Sequence, residues 1–555
     1  MARRRIGDLL FEAGFLTTEQ LEAALEIQKR TRERLGDILI DRGFITEKQL
    51  IEALEFQLGV PHVSLARQKL DPAILALVPE ALAARHLVLP LRKERNKLIV
   101  AMADPLDYYA IDDLRMSTGF QIEPAIAAKD EIRLFIERVY SMKGSLEVAA
   151  QAASVADPQE IAEPELVNDD SPVVRLVNQI LAQSVKLRAS DVHFDPAADG
   201  LRVRLRIDGT MRTEQTLPKH MQSVVSARLK IMANLNIAEH RLPQDGRFRF
   251  SILGHDVDVR VATLPTVYGE KIVLRVLDQS AGLQKIGQLG FTADNMQMFR
   301  AMLTTPNGLL LITGPTGSGK TSTLYAGLAE RSTPEVNVIA IEDPVEYQLA
   351  GVNQVPVNVG AGLTFAKGLR SILRQDPDVI MVGEIRDQET AEIATRAALT
   401  GHLVLSTLHT NDAVATIARL VDMGIEPFLV ASSLIGVIAQ RLVRTVCQEC
   451  AHAYSPAPVE QELLAAHGVE SDRFVAGRGC SVCGNTGYRG RIAIHEILRM
   501  DDHLRQMILH GATETEIRER LEATGFRTLM RDGLQKAGDG RTSLAEVIRV
   551  AARDF

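Results

Sequence analysis

Apolar positions along this chain change their period several times. Leucines recur at helical spacing in the first 57 residues, around two near-copies of one unit. Arg5-Ile6-Gly7-Asp8 returns as Arg34-Leu35-Gly36-Asp37, Gly14-Phe15-Leu16 as Gly43-Phe44-Ile45, and Leu21, Leu25 and Gln28 as Leu50, Leu54 and Gln57, all at a shift of 29. Thr17-x-x-Gln20 and Thr46-x-x-Gln49 are capping boxes, so a helix starts in each copy. The unit reads as helix, glycine turn, helix, twice over. Beyond it, Leu98 to Met102 reads as a strand and Ile132 to Tyr140 as an amphipathic helix. A helix over Val173 to Leu187 precedes strands at Leu201 to Ile207, Val257 to Val261 and Ile272 to Leu277. The first of these alternates apolar residues with Arg202, Arg204 and Arg206, as a half-buried strand does. From about 290 to 445, short apolar runs ending in Gly, Asp, Glu or His alternate with helical patterns, the mark of a mostly parallel, doubly wound sheet. The tail after 490 reads as largely helical.

At 555 residues the chain exceeds one hydrophobic core. The period changes divide it into a helical repeat region (1–60), a small α/β unit (61–145), a linker (146–170), an α+β domain (171–285), an α/β domain (286–445), a cysteine-bearing subdomain (446–490) and a helical C-terminal region (491–555). The linker rests on alanine and acidic content punctuated by Pro158 and Pro164. Hydrophobic residues are 46% and charged residues 24%, ordinary for a soluble protein, and a net charge of −8 gives no global sign of nucleic-acid binding. The longest apolar run, Pro427 to Val443, is broken by Ser432, Ser433, Gln440 and Arg441, and the basic start Met1-Ala-Arg-Arg-Arg-Ile6 lacks the apolar core of a signal peptide. A cytoplasmic protein, peripheral to the inner membrane through partners, is expected.

Gly308-Leu-Leu-Leu-Ile-Thr-Gly314 is a buried-strand run, followed by Gly314-Pro315-Thr316-Gly317-Ser318-Gly319-Lys320-Thr321 and a helix from Ser322 to Glu330. This is G-x-x-x-x-G-K-T in its strand–loop–helix setting. Its glycines let backbone N–H groups wrap the phosphates of ATP, Lys320 reaches the β- and γ-phosphates, and Thr321 holds Mg²⁺. Three further segments end predicted strands: Glu342-Asp343-Pro344-Val345-Glu346, Gly383-Glu384-Ile385-Arg386-Asp387, and the stretch from His402 to His409. Residues at carboxyl strand ends gather around the ligand of a parallel sheet. Phosphoryl transfer needs a carboxylate near Mg²⁺ and a group that orients water, and Glu342 and Glu384 fit those two needs. Gly383 stands where the conventional metal-binding Asp would be, so which acid serves the metal stays open.

The cysteines form two C-x-x-C pairs, Cys447/Cys450 and Cys480/Cys483, and they are the only four in the chain. In a reducing compartment this pattern suits a closed, structural Zn²⁺ site, the alternative being four free thiols. Nearby Arg441, Arg444, Arg489 and Arg491 are either a basic contact surface for acidic partners or lipid head groups, or a solvated face.

The loop, the Ile341-Glu-Asp-Pro-Val-Glu346 segment, Arg374-Gln-Asp-Pro-Asp-Val-Ile-Met-Val-Gly-Glu-Ile-Arg-Asp387 and Thr400-Gly-His…Ser-Thr-Leu-His-Thr-Asn411 resemble the Walker A, Asp box, Walker B and His box of the type II secretion and type IV pilus assembly ATPases. The resemblance runs from about 171 to 550, through Arg188-Ala-Ser-Asp-Val-His193, Arg241-Leu-Pro-Gln-Asp-Gly-Arg247 and the cysteine pairs. It implies a hexamer of RecA-like P-loop domains, each preceded by a PAS-like α+β domain, with a helical N-terminal domain and a zinc-binding insertion. It implies Glu342 as catalytic base, Glu384 as Walker B acid, and His402 and His409 as the His-box pair. Arg260 and Arg275 match the family's arginines that reach the γ-phosphate from the preceding domain, with Arg241 and Arg247 as secondary candidates. Partners implied are an inner-membrane platform protein and a cytoplasmic adaptor, with no nucleic acid.

The N-terminal repeat resembles the tandem cyclic di-GMP motif of some of these ATPases, with Ile6 in place of the usual Leu. The residues implied are Arg5, Gly7, Asp8, Leu10, Gly14, Leu25 and Gln28 in one copy, and Arg34, Gly36, Asp37, Leu39, Gly43, Leu54 and Gln57 in the other. Arginines suit phosphate or guanine edges, glycines admit close approach, and leucines form an apolar floor. The function expected is extension of type IV pili under cyclic di-GMP control. Alternatives are the ATPase of a type II secretion system, a nucleic-acid motor, and a ligand-gated scaffold without turnover. A retraction motor is disfavoured by the long N-terminal region and the cysteine pairs.

Overall fold

The two repeats fold alike in the computed structural model, which describes residues 6–31, 35–46, 49–50, 53–55, 60–65, 72–75, 77–133, 135–136, 171–252, 255–278, 284–471 and 473–552. Helices Ile6–Glu12 and Thr18–Thr31 form the first copy, and helix Leu35–Asp41 opens the second. Both capping boxes close: Gln20 and Gln49 amides donate to Thr17 and Thr46 hydroxyls at 3.3 and 3.4 Å, and their side chains accept from the Thr17 and Thr46 N–H at 3.0 and 2.8 Å. Leu9, Leu10, Leu16 and Ala24 are buried in one core with their counterparts Ile38, Leu39, Ile45 and Ala53. The linker 146–170 and the end of the helix expected to reach Tyr140 lie outside the described residues.

The next unit has its own core around a three-stranded sheet, β1 (Val88–Glu94), β2 (Lys97–Met102) and β3 (Gln121–Ile126), with helix Tyr108–Thr118 between the last two. β1 and β2 pair antiparallel, β2 and β3 parallel, so only the second pair needs the helical crossover.

Residues 171–278 build the α+β domain. Its strands are β4 (Ala189–Ala197), β5 (Gly200–Ile207), β6 (Thr210–Leu217), β7 (Gln244–Ile252), β8 (His255–Thr266) and β9 (Gly269–Asp278), in the order β6-β5-β4-β9-β8-β7. Leu201, Val203, Leu205 and Ile207 of β5 pack under helices Pro172–Lys186 and Gln222–Met232. The alternate residues carry charge, and Arg204 pairs with Asp195 of β4 at 2.5 Å. Arg260 on β8 lies directly across from Arg275 on β9.

The α/β domain that follows is a seven-stranded sheet with helices on both faces. Its strands are β10 (Gly308–Thr313), β11 (Val338–Glu342), β12 (Val352–Pro356), β13 (Val379–Val382), β14 (Leu403–Leu408), β15 (Leu434–Val446) and, after β16 (Ala451–Tyr454) and β17 (Phe474–Gly477) of the cysteine insertion, β18 (Tyr488–Arg499). The order is β12-β11-β13-β14-β10-β15-β18, all parallel except the last pair. Leu309 and Leu311 face the helices Phe365–Ile372, Gln388–Leu399 and Ala413–Asp422, while Leu310 and Ile312 face Ala293–Leu303 and Lys320–Arg331. Burial on both faces is why the run has no polar alternation. The architecture is thus a RecA-like α/β domain behind an α+β domain.

The C-terminal region begins differently from its sequence reading. Residues 488–499 form β18, antiparallel to β15, and only then follow helices Asp502–Leu509, Glu514–Ala523, Leu529–Gly538 and Leu544–Ala551. The strand is buried from Ile492 to Leu498, so it too lacks the period of two.

Candidate nucleotide site and metal centre

The nucleotide loop joins β10 to the helix starting at Lys320. Gly314, Gly317 and Gly319 hold φ of 145°, 79° and 85°, a region that favours glycine. A Cβ on Gly314 would lie 2.3 Å from the Gln440 carbonyl, so the loop also needs glycine for space. Pro315, Thr316 and Gly317 are exposed, as are Thr321 and Ser322 at the helix start. The Ser318 hydroxyl is buried without a hydrogen-bond partner. The Lys320 ammonium is buried and donates to the carbonyls of Gly314 at 2.7 Å and Pro315 at 3.1 Å. Burial pulls its pKa down to about 8, against the opposing field of Glu384.

Glu384 follows β13, which β14 separates from the loop's own strand β10. Its oxygens meet Arg386 at 2.5 Å and His409 Nε2 at 3.4 Å. Thr407 of β14 fixes the turn before it, donating to the Gly383 carbonyl at 2.8 Å. Glu342 ends β11 but is 3% exposed, and both its oxygens are taken: Oε1 accepts from Gln354 Nε2 at 2.9 Å, Oε2 from the Tyr325 hydroxyl. Burial raises its pKa despite these two donors.

His402 is not at this site. It precedes β14, its Nδ1 is 3.0 Å from the Ala397 carbonyl, and its own carbonyl accepts from Gly308 at the start of β10. The strand lies between the two histidines, so His402 and His409 stand at opposite edges of the sheet, about 20 Å of strand apart.

Arg260 crosses between domains. Its Nη1 and Nη2 donate to the two carboxylate oxygens of Glu346 at 3.2 and 2.6 Å. Arg275 stays within its own sheet, with Nε 3.3 Å from Asp191. Arg241 is held by Glu239, and Arg247 lies directly across from Arg260 on β7. A second inter-domain contact comes from the β5–β6 turn, where Asp208 accepts from the Gly490 N–H at 2.9 Å. Between that turn and the loop opens a cleft of about 220 Å³, lined by Pro315, Ser318, Arg441, Leu442, Arg491 and Arg549.

The four cysteine sulfurs converge, all within 4.8 Å of one another. Cys447 to Cys480, Cys450 to Cys483 and Cys480 to Cys483 are 3.8, 3.9 and 3.7 Å. A tetrahedron with metal–sulfur bonds of 2.3 Å has edges of about 3.8 Å, so the four thiols fit zinc. Backbone N–H groups of Cys480 and Gly487 point at Cys483 Sγ at 3.2 and 3.3 Å, as donors to a thiolate do. Arg444, read as a possible surface charge, is internal: it donates to buried Glu546 and stacks over Tyr488.

In the repeats, Gly14 and Gly43 are turn residues at φ 74° and 68° with open space around them. Gly7 and Gly36 are packing positions instead, where a Cβ would come 2.8 Å from Leu21 and Leu50. Leu10 and Leu39 are fully buried core rather than ligand floor, whereas Leu25 is 38% exposed and Leu54 half-buried. Asp8 is exposed, and Gln28 is half-buried on the second helix. Asp37 lies on helix Leu35–Asp41. Arg5, Arg34 and Gln57 lie outside the described residues.

Sequence reasoning missed Gln440, Tyr325 and Gln354. Gln440 is 1% exposed, donates to the Ser318 carbonyl at 2.8 Å and accepts from Thr323 at 2.7 Å, bracing both ends of the loop's last turn. Its signal was a lone amide in an apolar run.

The family model described as "Type II/IV secretion system protein" matches residues 167–549, and the MshEN domain model matches residues 58–146, starting just after the two repeats. The type IV pilus assembly ATPase PilB of Myxococcus xanthus is 44% identical over 566 residues, covering 99% of each chain. PilB of Thermus thermophilus is 46% identical over 499 residues, 89% of this chain but 56% of that protein, so this chain spans little more than half of that relative. Type II secretion system protein E of Xanthomonas campestris is 43% identical over 504 residues, 89% of this chain and 88% of its own. The chain therefore belongs to the type II/IV secretion system protein family, as one of its P-loop ATPases.

Proposed function

We propose that this protein is a cytoplasmic ATPase that works as a homo-hexameric ring to extend type IV pili, with cyclic di-GMP taken by its N-terminal repeats. The observation that supports it most is the gathering of Lys320 and Glu384 at the same end of the sheet, near enough for the Glu384 charge to act on the lysine, with Arg260 reaching the domain from the preceding one. In this reading the loop amides and Lys320 cradle the phosphates, and the cleft beside Asp208 takes the rest of the nucleotide. Thr321 and Glu384 would hold Mg²⁺, which would supply positive charge to offset that of the phosphates. Glu384 and His409 border the reacting phosphate, and Glu342 serves as base once its present bonds release it. An arginine supplied by domain closure ties hydrolysis to motion. Arg260, already on the ATPase domain, is the better candidate, with Arg275 across the strand pair as the second. Zn²⁺ held by the four cysteines is structural, because four sulfurs leave no open position. Force would pass to an inner-membrane platform protein through a cytoplasmic adaptor. Among the described residues no helix is long and apolar enough to cross a membrane, in keeping with attachment through partners.

The resemblance to a type II secretion ATPase supports a second reading, in which the same motor builds a secretion pseudopilus. Deletion of the gene, with rescue by wild type and by Lys320→Ala, decides between them. Loss of surface pili supports extension, loss of exported enzymes supports secretion, and full rescue by Lys320→Ala refutes both.

A further inference from the structure

The reaction asks most of Arg260 and Glu342, and in this structure both are engaged by one connected set of side chains. Arg260 presents its guanidinium fork to Glu346, four residues beyond the end of β11, with the donor pair at 3.2 and 2.6 Å. The two side chains come from different domains and are 28% and 27% exposed, so a competing anion can reach the pair. The backbone N–H of Glu346 in turn donates to the Tyr325 hydroxyl at 3.2 Å. That hydroxyl donates to Glu342, whose other oxygen accepts from Gln354. Tyr325 is 1% exposed and sits on the helix that begins at Lys320. A single hydroxyl therefore touches both the residue that holds the arginine and the acid that would meet the attacking water. Glu342, at 3% exposure, is out of reach of water while Tyr325 and Gln354 keep it.

We propose that Glu346 is a holding site for Arg260, in competition with the terminal phosphate of ATP, and that Tyr325 couples the arginine's release to the freeing of Glu342. The inference rests on the reading of this site as an ATPase. A phosphate with two charges and three oxygens outbids one carboxylate for the same guanidinium. ADP lacks that phosphate and leaves Arg260 on Glu346. Arg260 ties the 343–346 turn to the preceding domain; once it departs, the N–H of Glu346 moves off the Tyr325 hydroxyl, and Glu342 opens to water. The arrangement keeps the acid covered until a nucleotide with its third phosphate is in place. Tyr325 is in this account a positioning residue that touches no substrate.

A ligand shifts such an equilibrium only by its differential affinity for the two states, which makes the nucleotide pair the discriminating probe. Full-length wild type, Glu346→Gln, Arg260→Ala and the double variant are titrated with the β,γ-imido analogue of ATP and with ADP. Glu346→Gln is expected to tighten the analogue about fivefold, the scale of a partly exposed ion pair, and to leave ADP unchanged. The gain should vanish in the Arg260→Ala background. Basal kcat should rise in Glu346→Gln and not in Glu346→Gln with Tyr325→Phe. Unchanged ADP affinity also reports an intact loop, and Glu346→Asp, which keeps the charge but shortens the reach, should shift the analogue the same way. Equal shifts for both nucleotides, a weaker analogue in Glu346→Gln, or additive single effects would overturn the inference. A wild type that binds neither nucleotide overturns the ATPase reading with it, whereas one that binds both and shows no coupling overturns this inference alone.

Discussion

His409 Nε2 lies 3.4 Å from Glu384, although the two residues end different strands and are 25 positions apart. Parallel pairing of β13 with β14 puts both at one edge of the sheet, and the Thr407 bond to Gly383 sets the turn between them. The Glu384 charge also acts on Lys320, in keeping with the proposal that this acid serves a phosphate-bound metal. Glu384→Gln keeps the shape and removes the charge. Turnover should fall by about 10²–10³, the range for loss of one preorganised electrostatic group, while affinity for a non-hydrolysable analogue changes little. His409→Ala should lower kcat with a smaller effect on KM. A Glu384→Gln protein with wild-type kcat would remove this acid from the site.

Lys320 has its pKa drawn down to about 8 by burial, from 10.5. Only the protonated amine attracts phosphate, so ATP affinity of the free protein should hold below pH 8 and weaken about tenfold per unit above it. The stability effect has the opposite sign. Between pH 8 and 10.5 the unfolded chain keeps a proton that the folded chain has lost, so this residue's contribution to stability rises with pH across that window. Binding titrations and denaturant melts at pH 7, 8, 9 and 10 read the two trends, and ATP affinity that is flat to pH 10 would show that the lysine is not the phosphate contact.

The nucleotide loop was legible because its glycines answer a backbone demand that no other residue meets, and because the flanking run is buried on both faces. The tandem repeat was legible for a different reason: the same shift of 29 that relates the letters relates the capping bonds and the buried core. His402 misled because its motif reads as one strand end, whereas the strand occupies the letters between its two histidines. β18 misled because a strand buried on both sides shows no alternation. Tyr325, Gln354 and Gln440 were invisible for a deeper reason. The bonds they make to Glu342 and Ser318 span 12 to 122 residues, and nothing local in the sequence marks which amide or phenol the fold will turn inward.

Glu546 shows what holds the C-terminal helix to the sheet. Burial would raise its pKa, but the guanidinium bonds from Arg549 and Arg444 overcome this and hold it at about 2. A carboxylate depressed in the folded state stabilises above its unfolded pKa of about 4.5, and that contribution drains away as pH falls toward 2. Glu546→Gln strands two arginines, one of them half-buried against Tyr488, and should cost about 3 kcal/mol at pH 7. The difference from wild type should shrink below pH 4. A loss independent of pH would mean that packing, not charge, is what Glu546 contributes.

The cysteine insertion sits between β15 and β18, next to the turn where Asp208 meets Gly490. A metal there should matter to the fold more than to the chemistry, since the four sulfurs lie at tetrahedral edge lengths and no cysteine lines the cleft between the loop and Asp208. Elemental analysis of purified protein should give one zinc per chain. Cys480→Ser should lose the metal and lower the melting temperature by about 10 °C. Below that transition, kcat should remain within about threefold of wild type, because the loop, Glu384 and His409 are anchored in the parallel sheet. If zinc loss abolished turnover while the melting temperature held, the insertion would have to act on the nucleotide directly, through the Asp208 contact.

The repeats carry the last expectation. Positions 29 apart occupy equivalent places in the fold, down to Gly7 against Leu21 and Gly36 against Leu50, so a ligand with two-fold symmetry would meet matched surfaces. In the sequence, Arg5 and Arg34 stand at equivalent positions of the two copies, 29 apart. Calorimetry on the full-length protein should then find one cyclic di-GMP per chain. Arg5→Ala and Arg34→Ala should each weaken binding by about 10- to 100-fold, the worth of one charge-assisted phosphate contact, and by similar factors. A strong loss for one arginine and none for the other would mean that the duplication serves packing alone, with the leucines of both copies spent on the shared core that Leu10 and Leu39 already fill.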